Sequence, residues 1–162
     1  MTARPMPTRR PYLRIRPAVA GDSNALAALH ATLFDPPWRA DAFRRLLTAD
    51  TTLGRVAVVR DGEIAGVVLA QVVQDEAEIL TIGVAEARQS AGLGSRLLTA
   101  LCNALRARGV TRLHLDVAAD NATARALYAR HGFADTGRRA TYYTSNPAGL
   151  AISMAKEIEP AP

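Results

Sequence analysis

The stretch Ile79-Leu80-Thr81-Ile82-Gly83-Val84, followed after a short connection by Gln89-Ser90-Ala91-Gly92-Leu93-Gly94-Ser95, decides how this chain is read. Its first half is apolar and β-branched, which predicts a strand. Its second half is a loop of small residues. That loop opens onto Leu93 to Arg108, the longest segment with helical apolar periodicity. A junction of this kind binds anions. Glycines let backbone approach a ligand closely, and the free N–H groups of a first helical turn, at the positive end of the macrodipole, favour a phosphate or pyrophosphate.

Three phosphate carriers compete for it, beside the reading that it is a glycine-rich helix start with no ligand. A nucleoside-triphosphate loop needs Gly-Lys-Ser/Thr, whereas Ser95-Arg96 follow Gly94 and no lysine is near, which excludes it. A dinucleotide fingerprint wants a third glycine where Leu97 stands. Asp116 lies at a tolerable distance for a ribose acid, so this reading stays as an alternative. The third carrier is coenzyme A, whose pyrophosphate has the same needs.

Composition narrows the class. With 162 residues, 49% hydrophobic and 22% charged, the chain reads as one soluble domain able to bury a core without disulfides or metals. The longest apolar run, Ile64 to Val73, is broken by Gly66 and Gln71, so no membrane partner is expected. Cys102 stands alone, four residues after Leu98 on the apolar side of the long helix. It reads as a buried small hydrophobe rather than a nucleophile and fits a reducing cytoplasm. The net charge of +5 owes much to Arg4, Arg9 and Arg10, which no acid accompanies in the first ten residues. The remainder is nearly balanced, so no direct nucleic-acid binding is expected. Residues 1–10 read as a disordered basic tail, with an organellar presequence lacking amphipathic period as the alternative. Residues 11–159 read as a single domain.

Along the chain, Tyr12 to Arg16 alternates as a half-buried strand ended by Pro17. Asp22 or Ser23 caps a helix bearing Leu26, Leu29 and Leu33, with His30 filling its surface or core edge. Phe34-Asp35-Pro36-Pro37-Trp38 is a rigid turn, and Trp38 on it is a packing anchor or the wall of a peptide channel. A helix Asp41 to Thr48 follows, with Phe43, Leu46 and Leu47 inward. Asp61-Gly62 between Val56 to Arg60 and Glu63 to Val73 marks a hairpin. After Gln74-Asp75-Glu76 comes the strand Ala77 to Val84, then the long helix, closed by Gly109. Arg112 to Val117 is the next strand, with Leu113, Leu115 and Val117 on one face and His114 and Asp116 on the other. Asn121, with Asp120, caps a helix Ala122 to Arg130 that Gly132 ends. Two strands, about Arg138 to Thr144 and Ala151 to Lys156, flank a turn at Asn146-Pro147-Ala148-Gly149. This order argues for a mixed sheet with helices on both faces. The strand-helix-strand unit makes two parallel neighbours with a right-handed crossover, parting at Val84 and Val117 to leave a ligand slot.

Gln89-x-x-Gly92-x-Gly94 after a strand resembles the pyrophosphate loop of the GNAT superfamily of N-acetyltransferases. The run Asp116-Val117-Ala118-Ala119-Asp120-Asn121-Ala122-Thr123-Ala124-Arg125-Ala126-Leu127-Tyr128 with Gly132-Phe133 resembles its second acetyl-CoA block. Pro37-Trp38 and Arg138-Arg139-Ala140-Thr141-Tyr142-Tyr143 are similar to features of the RimI-type N-terminal acetyltransferases of bacterial ribosomal proteins. The resemblance covers Tyr12 to Ile158. It implies an α/β (α+β) fold, a central mixed, mostly antiparallel twisted sheet with helices on both faces and a parallel strand pair that splays to bind acetyl-CoA. It implies acetyl-CoA contacts at Ile82, Gly83 and Val84 through strand backbone, and at Gln89, Ser90, Ala91, Gly92, Leu93, Gly94 and Ser95 in the loop. Asn121 would hold the pantetheine arm, Asp116 would be general base and Tyr128 general acid. Trp38, Tyr142 and Tyr143 are the candidate peptide contacts. No metal is implied, and the implied partner is a protein or peptide N-terminus of the ribosomal-protein kind.

Two departures stand out. Asp116 replaces the subfamily's usual glutamate, so a bridging water is expected between carboxylate and amine. His114, about 7 Å away along the same face, is the fallback base or a solvent-facing histidine. Gly149-Leu150 occupies the place where the subfamily tends to carry an acidic pair. The rival expectations are a lysine or small-amine acetyltransferase of the same fold, and a non-catalytic acyl-CoA-binding sensor, which would need neither Asp116 nor Tyr128.

Overall fold

The computed structural model describes residue 3 and residues 13–140 and 149–160, residues 139 and 140 by backbone alone. The expected disordered tail apart from residue 3, Tyr12, Tyr142 and Tyr143, and most of the Asn146 to Gly149 turn lie outside the described residues. The elements are β1 (Leu13–Pro17), α1 (Ser23–Leu33), α2 (Ala40–Thr48), β2 (Thr52–Val59), β3 (Ile64–Val73), β4 (Glu76–Val84), α3 (Leu93–Ala107), β5 (Arg112–Ala118), α4 (Ala122–Arg130), β6 (Ala134–Ala140) and β7 (Leu150–Glu157). The strands form one sheet in the order β1-β2-β3-β4-β5-β7-β6. Every neighbouring pair is antiparallel except β4 and β5.

Two cores follow from strand alternation. Leu97, Leu98, Leu101 and Leu105 of α3 and Tyr128 of α4 pack on one face of the sheet, with Leu113, Leu115 and Val117 of β5. Leu26 and Leu29 of α1 and Phe43 of α2 pack on the other, against Val56, Val67 and Leu69. The second pair of helices covers β2, β3 and β4, and among the described residues neither of these helices packs a core residue on the same face of β5 and β7. Cys102 is buried in the first core, as its helical phase requires.

Several boundaries differ from expectation. β2 begins at Thr52, four residues before Val56, because Thr52, Leu53 and Gly54 pair with Gln71, Ala70 and Leu69. A Cβ at Gly54 would collide with the Leu69 side chain, so the glycine is what lets the two strands close. β6 begins at Ala134 rather than Arg138, paired along the outer edge of β7. Asp22 does not cap α1 through its side chain. Its carboxylate takes two hydrogen bonds from Arg16, at 2.8 and 2.9 Å, and one from the Val19 N–H at 2.9 Å, tying β1 to the start of α1. That guanidinium holds the Asp22 carboxyl below the usual carboxylate range.

Gly83 fixes how closely α1 approaches β4. A Cβ there would lie 2.8 Å from Leu33 Cδ1 and 3.3 Å from the Phe34 ring. Gly83→Val is therefore expected to lower the unfolding free energy by about 1–3 kcal/mol, as overpacking does, measurable by urea denaturation.

Candidate active site

The parallel pair is short. β4 and β5 are in register only at Glu76 with Arg112, Ala77 with Leu113 and Glu78 with His114. Beyond these the strands diverge, earlier than the expected parting at Val84 and Val117. A bulge accompanies the divergence. Leu69 of β3 faces Thr81 and Ala70 faces Ile79, so Leu80 is an extra residue in β4. β5 meanwhile stays with β7 through Ala118 and Ala151. β4 follows one neighbour, β5 the other, and a gap opens between them. Along it, the β5-facing N–H and C=O groups of β4 after Glu78 have no ladder partner in β5 and are available to an extended, amide-bearing ligand.

The gap ends at the glycine loop. A single 3₁₀ turn, Glu86–Arg88, leads out of β4. Gln89 Nε2 then donates to the Val84 carbonyl at 3.0 Å, so this side chain folds the loop back on the strand. Ser90 (φ 67°) and Gly92 (φ 78°) are both left-handed, and Gly92 precedes α3 with no side-chain cap and no acid in the first turn. The first-turn amides are thus left to an external anion. Leu93 is 3% exposed, so only its backbone is available to a ligand. A Cβ on Gly94 would stand 3.3 Å from Leu127 Cδ2, which shows how tightly the start of α3 meets α4. The unpaired strand edge and the two left-handed loop residues fit the amide arm and pyrophosphate of acetyl-CoA.

Asp116 and Tyr128 stand on opposite faces of the sheet. Asp116 projects from β5 on the face that α1 and α2 leave uncovered. It is exposed, and its Oδ1 accepts a 2.6 Å hydrogen bond from Ser153 of β7. Tyr128 is buried in α4 against Phe133, ring centroids 5.7 Å apart, and burial pushes its hydroxyl up to about 12. His114 lies at the paired end of the strands with Nε2 3.0 Å from Glu76 Oε1, away from the divergent stretch where Asp116 stands. The Asn121 Oδ1 accepts from the Ala124 N–H at 3.1 Å, so this side chain caps α4, leaving its amide nitrogen to face outward.

Trp38 packs rather than standing free, tilted on Phe43 with centroids 5.5 Å apart. Two histidines carry contacts that sequence reading did not foresee. His131 Nε2 is 2.7 Å from the Ser95 hydroxyl in the first turn of α3, and His30 is 3% exposed. His131 meets Ser95 across 36 residues and His30 meets Thr81 across 51, contacts that no local spacing announces. Burial, then Lys156 and Arg130, lower the His131 pKa, so a neutral ring faces Ser95. Among the described residues no group of three or more His, Cys, Asp or Glu could hold a metal, and no helix is long and apolar enough to cross a membrane.

Comparison with known proteins agrees with this arrangement. The acetyltransferase (GNAT) family model matches residues 23–133. The [ribosomal protein bS18]-alanine N-acetyltransferase of Escherichia coli (strain K12) is 41% identical over 102 residues, 62% of this chain and 69% of that one. The crystal structure of the Escherichia coli ribosomal-protein-S18-alanine N-acetyltransferase superposes with a TM-score of 0.82 at 33% identity, covering 93% of this chain and 97% of that one. A mycothiol acetyltransferase from Clavibacter michiganensis is 43% identical over 86 residues, 53% of this chain but 28% of that protein. A matched family model spanning most of the chain, on a sheet that splays beside an uncapped helix start, places this chain in the acetyltransferase (GNAT) family, as an acetyl-CoA-dependent N-acetyltransferase.

Proposed function

We propose that the acceptor is the free α-amine of a protein N-terminus, of the ribosomal-protein kind, and that the amine attacks acetyl-CoA directly in a ternary complex in the cytoplasm. The observation that carries this reading is the near full-length structural likeness to the S18-alanine enzyme. Asp116, on the open face, takes a proton from the incoming amine through a bridging water. Tyr128, on the cofactor side, hydrogen-bonds the departing sulfur. With its pKa at about 12 the hydroxyl is a donor at every working pH but a weaker acid than a thiol near ~8.5. It therefore stabilises charge as it gathers on sulfur, and as its proton crosses to form the thiol a proton from solvent returns to the phenolate, which is too strong a base to persist. Backbone N–H groups of the divergent stretch of β4 are positioned to polarise the thioester carbonyl.

Amine chemistry favours an N-terminus. An α-amine with pKa ~7.7–8 is roughly a tenth neutral at pH 7, whereas a lysine near ~10.4 is below a thousandth, so an α-amine asks less of an exposed carboxylate. Cys102 is buried with its thiol pushed up by desolvation, which supports direct attack over an acyl-enzyme route. One observation favours a second reading. Gly149 and the part-exposed Leu150 offer no carboxylate at the start of β7, which suits a lysine or small-amine acceptor equally well.

The test supplies acetyl-CoA with free-amino peptides and with blocked peptides bearing an internal lysine, reading thiol release and the acetylated position by mass spectrometry. The proposal expects modification at the free α-amine. Modification only at lysine moves the assignment to the rival enzyme, and acetyl-CoA binding without thiol release makes the protein a sensor.

A further inference from the structure

His30 joins the turn between α1 and α2 to the strand that borders the gap. Its Nδ1 accepts the Trp38 backbone N–H at 2.9 Å, so that nitrogen carries no proton. The neutral ring then has its proton on Nε2, which lies 3.3 Å from Thr81 Oγ1 and donates to it. Thr81 is 8% exposed and immediately follows the bulged Leu80. The ring also stacks between Phe34 (4.2 Å) and Trp38 (5.0 Å), and Phe43 of α2 meets it edge-on at 5.5 Å. The His30 carbonyl takes the Phe34 N–H at 2.9 Å. One residue therefore holds both ends of the Phe34–Trp38 turn and the bulged part of β4.

A protonated ring could not keep this arrangement, because Nδ1–H would point at the Trp38 N–H, donor against donor. Nothing nearby compensates the charge. The side chains packed on the ring from α1, the turn, α2 and β4 are Phe34, Trp38, Phe43 and Thr81, and among the described residues no Asp or Glu lies within ion-pair distance. Burial accordingly lowers its pKa below the ordinary histidine value.

We infer that His30 is a positioning residue for the acceptor side: as the neutral Nε2–H tautomer it latches the Phe34–Trp38 turn to β4, and its protonation releases the turn. This rests on the reading that the turn borders the acceptor path. The latch makes acceptor binding, and not acetyl-CoA binding, sensitive to acid.

His30→Asn separates the latch from a merely structural role, since the Asn Oδ1 overlays Nδ1 and accepts the Trp38 N–H at every pH. Acceptor KM and kcat are measured for the parent, His30→Asn and Thr81→Val, with acetyl-CoA binding as the check that each is folded. The acceptor amine's own ionisation affects all three alike, so the readout is the ratio of parent to variant KM. Because the His30 pKa lies below the ordinary histidine value, the latch holds at neutral pH and is lost only as pH falls through that lowered value. From about pH 7.5 down to the lowest pH at which acetyl-CoA still binds, the ratio to His30→Asn is expected to rise about tenfold, the factor one ordinary hydrogen bond carries. Thr81→Val removes the β4 end of the latch, so its acceptor KM is expected to stay at every pH near the raised value that the parent reaches only in acid, and acetyl-CoA KM is unchanged in His30→Asn. A ratio flat with pH overturns the inference. Imidazole 15N shifts of the full chain supply a readout free of any acceptor. A protonated Nδ1 in the neutral ring refutes the latch, whereas the expected tautomer, with the Trp38 amide shifting as His30 titrates, sustains it even if no α-amine peptide is acetylated. In that last case it is the acceptor assignment that falls.

Discussion

Tyr128→Phe is expected to lower kcat by about 10²-fold or more, the range in which a positioned proton donor contributes, with acetyl-CoA affinity unchanged. The substitution removes only the hydroxyl and keeps the ring against Phe133 at the α4 end of the core, so folding survives. A hydroxyl at about 12 does not ionise in the assay range, so the variant's pH profile keeps the parent's shape at reduced height. Single-turnover kinetics places the loss in the chemical step rather than in product release. A kcat within about threefold of the parent would mean that the departing sulfur finds its proton elsewhere, in solvent or on the acceptor amine.

The second large effect is expected at Asp116. Asp116→Asn retains an oxygen to accept the Ser153 hydroxyl, so the β5–β7 ladder is undisturbed, but it has no carboxylate to receive a proton. At neutral pH kcat/KM is expected to fall by about 10²–10³. The deficit narrows as pH rises through ~8, because an α-amine then reaches the site already neutral. Narrowing identifies proton removal from the amine as the role. A rate untouched at every pH would take Asp116 out of the chemistry. The place of His114 beside Glu76, where the strands are still paired, makes it a poor substitute.

What the sequence told and what it hid have separate physical causes. Local rules located the elements whose signals are local. Asp61-Gly62 made the β2–β3 turn with Gly62 at φ 81°, and Asn121 and Gly132 bounded α4 as cap and left-handed stop. The Leu93 helix followed from the same reasoning, whereas the left-handed conformation of Gly92 appears only in the structure. Tertiary pairing decided the rest. Leu80 carries no mark of a bulge, since an extra residue in an apolar run looks like more strand, and it shows only when β3 lies alongside. β6 has the polar sequence Ala-Asp-Thr-Gly-Arg-Arg-Ala and is a strand because β7 offers it an edge. Asp22 and Ser23 both suit a helix cap by their side-chain oxygens, but the Asp22 carboxylate is claimed by Arg16 on β1.

The candidate site was legible through motif rather than through element counting. The loop residues, Asp116 and Tyr128 are singled out by the resemblance of two sequence blocks, and the structure puts Asp116 near the end of β5 and Tyr128 near the end of α4. His30 and His131 were not legible, because a histidine's role is set by what crosses over it. The imidazole of His30 is defined by Trp38 and Thr81, and no spacing in the chain announces either contact.

The account depends on one physical proposition, that acetyl-CoA lies in the gap between β4 and β5 with its pyrophosphate on the amides beside Gly92. Amide hydrogen exchange of the whole protein with and without acetyl-CoA reads this directly. Exchange is predicted to slow at residues 79–84 and 90–96 and to stay unchanged along β1 and β2. Protection that spares β4, or that falls instead on α1 and α2, would contradict it.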